Sequence, residues 1–275
     1  MLRVPYVVQT HGMVDVSDRR VAPLVDRWAM GPLVRGARRV LALTGHEVER
    51  LRGVTGPDAE NVLVVPNGVD PASVEAPAGA ARSTQDDGVP EVLFLSRLHA
   101  RKRPLAFVRA AQALRADGVR ARFTVIGPDE GELDAVRQAL LDVPDQDGLV
   151  SYGGVVAMDQ SLARMASADV FVLPSVDEPF PMALAEAMSQ GVPVVCTTSC
   201  GPAPYVREGD AGIVVPDDDE EALVAALREL VTDAAGARRR GRNAAAVVRD
   251  RLSIASVARS LELAYAGEDA PAARG

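Results

Sequence analysis

The feature that most constrains this chain is a series of short, Val-rich apolar runs that recur along most of its length without alternating polar and apolar residues. Residues 5–10, 39–44, 61–66, 91–96, 122–127, 149–153, 169–174 and 192–197 are of this kind. A strand wetted on one face alternates, whereas a strand apolar throughout is covered on both faces, as in a parallel sheet. Helices fill the gaps. Residues 105–116 follow Pro104, a favourable first-turn residue; 162–166 form a short helix; 181–190 stop at Gly191. Residues 220–231 place Leu223, Leu227 and Leu230 on one face, and a last helix sets Ile254, Val257, Leu261 and Tyr265 at helical spacing. Repeated strand–helix alternation predicts an α/β fold with doubly wound parallel sheets.

Composition excludes several classes. With 275 residues, 48% hydrophobic and 25% charged, the chain is neither disordered, collagen-like nor disulfide-stapled. A formal charge of -8 argues against a nucleic-acid partner. The sign is uneven, because residues 1–52 carry nine Arg against five Asp or Glu, and the remainder is strongly acidic. Cys196 and Cys200 have no zinc-like spacing and read as reduced, buried thiols of a cytoplasmic protein. No apolar run approaches the ~20 residues of a membrane span. Residues 71–89 lack both period and bulk and read as a linker. They separate a partial Rossmann-like unit, 1–70, from a complete-looking one, 90–250; a helix at 251–266 is expected to pack back toward the N-terminal part, and 267–275 to be a disordered tail.

Four constellations could carry chemistry. Glu178 lies in the loop beyond the strand 169–174, where open α/β sheets bind ligands. The helix behind it starts near Phe180, Pro181, Met182 and Ala183, where free amides could hold an anionic group, and Glu186 lies further inside among apolar neighbours. Two surface glutamates on a helix would account for the same letters. The loop after 91–96 holds Arg97, His99, Arg101, Lys102 and Arg103, a set of cations suited to a diphosphate or, read plainly, a solvated basic loop. Gly127 and Gly154 follow two further strands and let backbone approach a flat ligand, as tight turns would also require. His11, at the end of the first strand, could meet a sugar hydroxyl or act as a base, or serve only the structure. Thr44-Gly45-His46-Glu47 looks like a capping box at a helix start.

Together these residues resemble retaining glycosyltransferases of family 4, which have the GT-B fold. The family's Glu, seven residues, Glu hallmark corresponds to Glu178 and Glu186; its phosphate pair to Arg97 and Lys102; its interdomain signature to Pro66-Asn67-Gly68-Val69-Asp70; and the strand after its Glu helix to Gly191-Val192-Pro193-Val194-Val195. The resemblance implies that Glu186 binds the donor ribose, that Glu178 with the amides of Phe180 to Ala183 holds the donor sugar, and that Arg97 and Lys102 clamp the diphosphate. Val156, with Gly154 and Gly127, would line the nucleobase through backbone, and His11 would lie near the reacting sugar. The implied donor is a nucleotide-diphosphate sugar, with no metal or other cofactor, and the acceptor a hydroxyl of a glycan or lipid-linked molecule. Arg103 and Ser96 stand where the family has glycines. Set against the family, the resemblance implies a partial amino-terminal domain, with roughly 100 residues and a Gly-rich loop expected beyond this sequence by ordinary domain sizes.

Two other readings follow from the same residues. A donor-binding but inactive fragment or subunit would suit a partial front domain. A glycoside hydrolase would use Glu178 and Glu186 as acid and nucleophile, but would leave the diphosphate clamp without a purpose. The basic stretch from Arg27 to Arg39 offers a surface to an anionic acceptor or to the inner membrane face, or is simply solvated.

Overall fold

The computed structural model describes residues 4–11, 28, 31–55, 61–70, 88–142 and 147–266. Residues 71–87 of the expected linker, the expected tail at 267–275, and Arg27, Ala29 and Met30 of the basic stretch lie outside the described residues. The chain divides into two compact units, Met1–Gly68 with Leu252–Gly275, and Val69–Arg251.

In the first unit, β1 (Val7–Gln9), β2 (Arg39–Ala42) and β3 (Val62–Val64) form a parallel sheet in that order, joined through α1 (Gly31–Gly36) and α2 (Gly45–Thr55). The side-chain period of two divides the strands between two faces. Val8, Val40, Ala42 and Val62 pack with Val34, Ala37, Val48 and Leu51. Val7, Leu41, Leu63 and Val65 pack with Val257, Leu261 and Ala264 of the last helix, Ile254–Ala266. The helical period expected Ile254 and Tyr265 in that seam as well. Both are instead more than half exposed. Ile254 lies where the helix backbone meets Gly68, whose added Cβ would come within 3.0 Å of Ile254 Cα, so the contact there is made by backbone. Ala264, one position before Tyr265, fills the buried place.

The second unit runs β4 (Glu91–Leu95), α3 (Pro104–Ala116), β5 (Arg122–Ile126), α4 (Leu133–Leu141), β6 (Val150–Tyr152), α5 (Met158–Ala166), β7 (Val170–Leu173), α6 (Met182–Ser189), β8 (Val194–Thr197), α7 (Ala203–Glu208), β9 (Gly212–Val215), α8 (Glu220–Thr232) and α9 (Ala234–Val247). All six strands are parallel, in the order β6-β5-β4-β7-β8-β9. From β4 the chain builds outward through β5 and β6, then returns to lay β7 on the other side of β4. That reversal makes the carboxyl ends of β4 and β7 a topological switch point, where open α/β sheets form their ligand crevice.

Burial explains the non-alternating strands. Val92, Leu93 and Phe94 of β4 and all four residues of β7 are buried. Phe107 of α3 packs between Phe94 and Phe123, with ring centroids 5.8 and 6.2 Å away. Each such ring contributes about 2–3 kcal/mol of burial. Leu223, Leu227 and Leu230 of α8 are buried as their spacing predicts. Two differences stand out. Helix α5 begins at Met158, four residues before the expected start, and β9 was not anticipated. Gly212 opens β9 so close to β8 that an added Cβ would lie 1.9 Å from the Val194 carbonyl oxygen.

Candidate functional site

The loop after β4 is built almost wholly by its own backbone. Ser96 N–H donates to the Ile126 carbonyl at 3.0 Å and Leu98 N–H to that of Pro128 at 2.8 Å, fixing the loop against the end of β5. His99 then caps a single 3-10 turn, Ala100–Lys102, its Nδ1 accepting from Arg101 N–H at 3.1 Å. Arg103 closes the turn in the left-handed conformation, φ 55° and ψ 49°, and Pro104 starts α3. This tight turn rotates Lys102 inward, leaving it 6% exposed.

The loop after β7 meets it. Val176 N–H donates to the Arg101 carbonyl at 3.0 Å, Asp177 N–H to Ser199 Oγ at 2.8 Å, and the Glu178 carbonyl accepts from Gly201 N–H at 2.8 Å. Thr197 Oγ1 donates to the Ser175 carbonyl. Held on these sides, Glu178 is 8% exposed, and Lys102 Nζ lies 2.7 Å from its Oε2. Arg101 Nε is 3.7 Å from the same oxygen. An ammonium has three donors, so pairing with one carboxylate oxygen leaves Lys102 capacity toward a second anion.

Arg97 is exposed and pairs with Glu130 Oε1 at 2.8 Å, in the loop after β5. Glu186 lies on α6, half buried, and its carboxyl has no hydrogen-bond or ion-pair partner among the described residues. Burial pushes its pKa above the usual carboxylate value. A half-buried, unpaired carboxylate is costly to keep, which makes Glu186 a candidate for a binding role.

Helix α6 has Pro181 as its N-cap residue and no side-chain cap, so its first amides remain for another acceptor. One correction follows. Pro181 carries no N–H, so the donors of this segment are limited to Phe180, Met182 and Ala183. Phe180 itself is 7% exposed.

Gly127 and Gly154 sit where three loops converge. Gly127 N–H donates to the Gly154 carbonyl at 2.9 Å, and Tyr152 Oη donates to the Gly127 carbonyl at 2.9 Å. A Cβ on Gly127 would lie 1.7 Å from the Ser96 carbonyl oxygen, so this glycine is required by the close approach of the β4 and β5 loops. Gly154 has φ 80° and open space around it, and Val156 is partly exposed beyond it.

His11, in the first unit, ends β1 in the left-handed region, φ 49°, with its side chain exposed. Beside it, Thr10 Oγ1 donates to the buried Glu47 carboxylate, which also accepts from Leu43 N–H at 2.6 Å. In the expected capping box Glu47 N–H donates to Thr44 Oγ1 at 3.2 Å, and the Glu47 carboxylate also braces the ends of β1 and β2.

The structure thus brings Lys102 and Glu178 together and sets Glu186 on the same helix-and-loop segment, with Gly127 bracing the neighbouring loop. Glu130, Ser199, Asp217 and Asp218 belong to this network and were missed. The signal for two of them was the Asp217-Asp218-Asp219 run before α8, of which Asp219 is the ordinary cap, accepting from Ala222 N–H at 2.8 Å. Cys196 and Cys200 are free and buried beside the crevice. Among the described residues no helix is long and apolar enough to cross a membrane.

Comparison with known proteins adds the following. Residues 89–233 match the family model described as glycosyl transferases group 1, and residues 1–68 the glycosyl transferase 4-like domain. The chain is 30% identical over 242 residues to the D-inositol 3-phosphate glycosyltransferase of Paenarthrobacter aurescens, covering 84% of this chain and 59% of that one. It is 31% identical over 228 residues to the putative colanic acid biosynthesis glycosyltransferase WcaL of Salmonella typhimurium, covering 80% and 53%. It therefore spans between half and three fifths of the length of these curated relatives. In fold it is similar to Anabaena HepE, solved with UDP, at a TM-score of 0.80 and 20% identity over 95% of this chain and 72% of that one. It is also similar to the sucrose-phosphate synthase of Thermosynechococcus elongatus, at 0.74 and 22% over 97% and 68%.

Proposed function

The chain belongs to the group 1 glycosyl transferases, with the parallel α/β units of the GT-B fold, and from that premise we propose that it transfers a sugar from a nucleotide-diphosphate sugar to an acceptor hydroxyl with retention of anomeric configuration. The observation that carries this reading is the Lys102–Glu178 pair at the switch point of the second sheet. It combines a cation for phosphate with a carboxylate for sugar hydroxyls in one shielded position. HepE and other structural neighbours were solved with UDP or UDP-glucose, which supports a nucleoside diphosphate as the donor's leaving group.

In the proposed reaction the bond between the anomeric carbon and the diphosphate oxygen breaks, and the acceptor oxygen bonds to that carbon. The hydroxyl proton leaves with the departing phosphate. Negative charge grows on the diphosphate, and Arg97 and Lys102 stabilise it there, the electrostatic term that is largest in such chemistry. For Arg97 this means exchanging its surface partner Glu130, a pair of the kind that contributes little. Glu186 would accept from the ribose hydroxyls, which returns the hydrogen bonds that its half-buried carboxyl lacks. Phe180, Met182 and Ala183 would present amides to the donor, and the backbone at Gly154 and Val156 would face the base. Gly127 acts indirectly, as a brace, and a contact of His11 with the sugar rests on the family resemblance alone.

For the acceptor we favour a glycan or lipid-linked hydroxyl, supported by the relative named for colanic acid biosynthesis, while the relative from Paenarthrobacter aurescens is named for D-inositol 3-phosphate instead. We place the reaction in the cytoplasm, with the basic N-terminal stretch toward the inner membrane face. The test is a screen of nucleotide sugars against simple acceptors, with product configuration read by NMR. Transfer with retention supports the proposal; an inverted product, or hydrolysis alone with every acceptor, overturns it.

A further inference from the structure

Non-glycine residues rarely adopt the left-handed region, and they hold it only where their surroundings determine it. Three such residues surround the crevice: Arg103 at φ 55°, Asp177 at φ 51° and Asp218 at φ 59°. Two of them are immediate chain neighbours of the ion pair, Arg103 following Lys102 and Asp177 preceding Glu178. The third lies in the loop after β9, which connects to both of the others.

Asp218 Oδ1 pairs with the Arg103 guanidinium at 3.1 Å, and the Arg103 side chain is only 18% exposed. Asp217 Oδ1 accepts from Ser199 N–H and from Thr198 Oγ1, each at 3.1 Å. Ser199 Oγ in turn accepts from Asp177 N–H at 2.8 Å. Burial alone would raise the Asp217 pKa, but the Ser199 and Thr198 donors outweigh it and hold the carboxyl below its usual value, in the form that accepts. Of these two consecutive carboxylates, Asp218 therefore reaches the loop that carries Lys102 directly, while Asp217 holds the loop after β8, whose Ser199 reaches the loop that carries Glu178. Asp218 tolerates the left-handed conformation better than most residues, which lets neighbouring side chains diverge in this way.

We propose that Asp217 and Asp218 are positioning residues of the donor site: Asp218 holds the left-handed turn at Arg103 that turns Lys102 inward, and Asp217, through Ser199, holds the left-handed turn at Asp177 that presents Glu178. The proposal rests on the reading of this crevice as a nucleoside-diphosphate site. Asp218 is 75% exposed, so its pair with Arg103 contributes little to global stability. Its effect falls on loop geometry and is read in binding.

The experiment is calorimetry with UDP on the full chain. Asp218→Ala and Asp217→Ala should each bind about tenfold more weakly than wild type, a fold-change typical of one left-handed turn released. Glycine adopts that conformation without a partner. Arg103→Gly should then restore binding to Asp218→Ala but not to Asp217→Ala, and Asp177→Gly should restore Asp217→Ala but not Asp218→Ala. A merely structural role would not give rescue in matched pairs only. If an alanine variant does not fold, Asp218→Gly or Ser199→Ala, each of which removes the same link, carries the same rescue comparison. Wild-type affinity in both aspartate variants, or rescue that ignores the pairing, overturns the proposal while leaving the donor site standing. A folded wild type that binds no UDP overturns the donor-site reading itself.

Discussion

Lys102 Nζ and Glu178 Oε2 are 2.7 Å apart, and the two side chains are only 8% and 11% exposed. They are 76 positions apart in the sequence, in loops joined because β7 returns to the side of β4. Removing one member of a shielded pair leaves the other charge uncompensated, a larger loss than the pair is worth. Lys102→Ala should lower unfolding stability by about 3 kcal/mol in urea titration, the lower end of that mechanism's range because Arg101 is near. Glu178→Gln in the same background should recover part of it. A Lys102→Ala protein of unchanged stability would refute the description of the pair as shielded.

Glu186 has its pKa raised by burial. Its protonated form is therefore favoured by folding, so the stability it contributes is present below the unfolded pKa and lost as pH rises through the folded one. Near neutral pH the ionised carboxyl is a net cost. Glu186→Gln should raise the melting temperature there by about 1–3 °C, with the gain vanishing below about pH 4. The same variant should bind UDP more weakly, and a stabilising change that costs function is the pattern expected of a site residue.

Gly127 and Gly154 should respond differently to alanine. At Gly127 the new methyl meets the Ser96 carbonyl, and about 3 kcal/mol is expected from overpacking against backbone. At Gly154 the space is open and only the positive φ resists, about 1 kcal/mol. Urea unfolding of the two variants checks the order.

The Cys200 thiol is pushed well above its usual pKa by hydrogen bonding to Cys196 and by burial. Neither thiol should react with Ellman's reagent in the folded protein, and both should react at once in guanidinium. Fast titration of the native protein would contradict their burial.

Much of this was legible in the residues. The non-alternating strands announced parallel sheets because burial on both faces removes any polar stripe, as β4 and β7 show. Glu178, Arg97 and Lys102 were legible as candidates from their loops after strands, and Glu186 from its place inside the helix behind Glu178. That Lys102 would pair with Glu178, and Arg97 with Glu130, was not legible, because those partners depend on strand order and on how far each loop turns. Asp217 and Asp218 were hidden for a related reason. An acidic run before a helix reads as a cap, and only Asp219 is one. Strand β9 was missed because four residues opened by a glycine carry too little pattern.

Whether this crevice holds a nucleoside diphosphate is read most directly by calorimetry of UDP against wild type and Arg97→Ala. Arg97 is exposed, and its pair with Glu130 should be worth less than about 1 kcal/mol, so the variant should melt with the wild type. Wild type should bind UDP saturably and Arg97→Ala should lose about 10- to 100-fold, the size of a charge-assisted phosphate contact. Equal UDP affinity in the two proteins, or none in a folded wild type, would contradict a nucleoside-diphosphate site in this crevice.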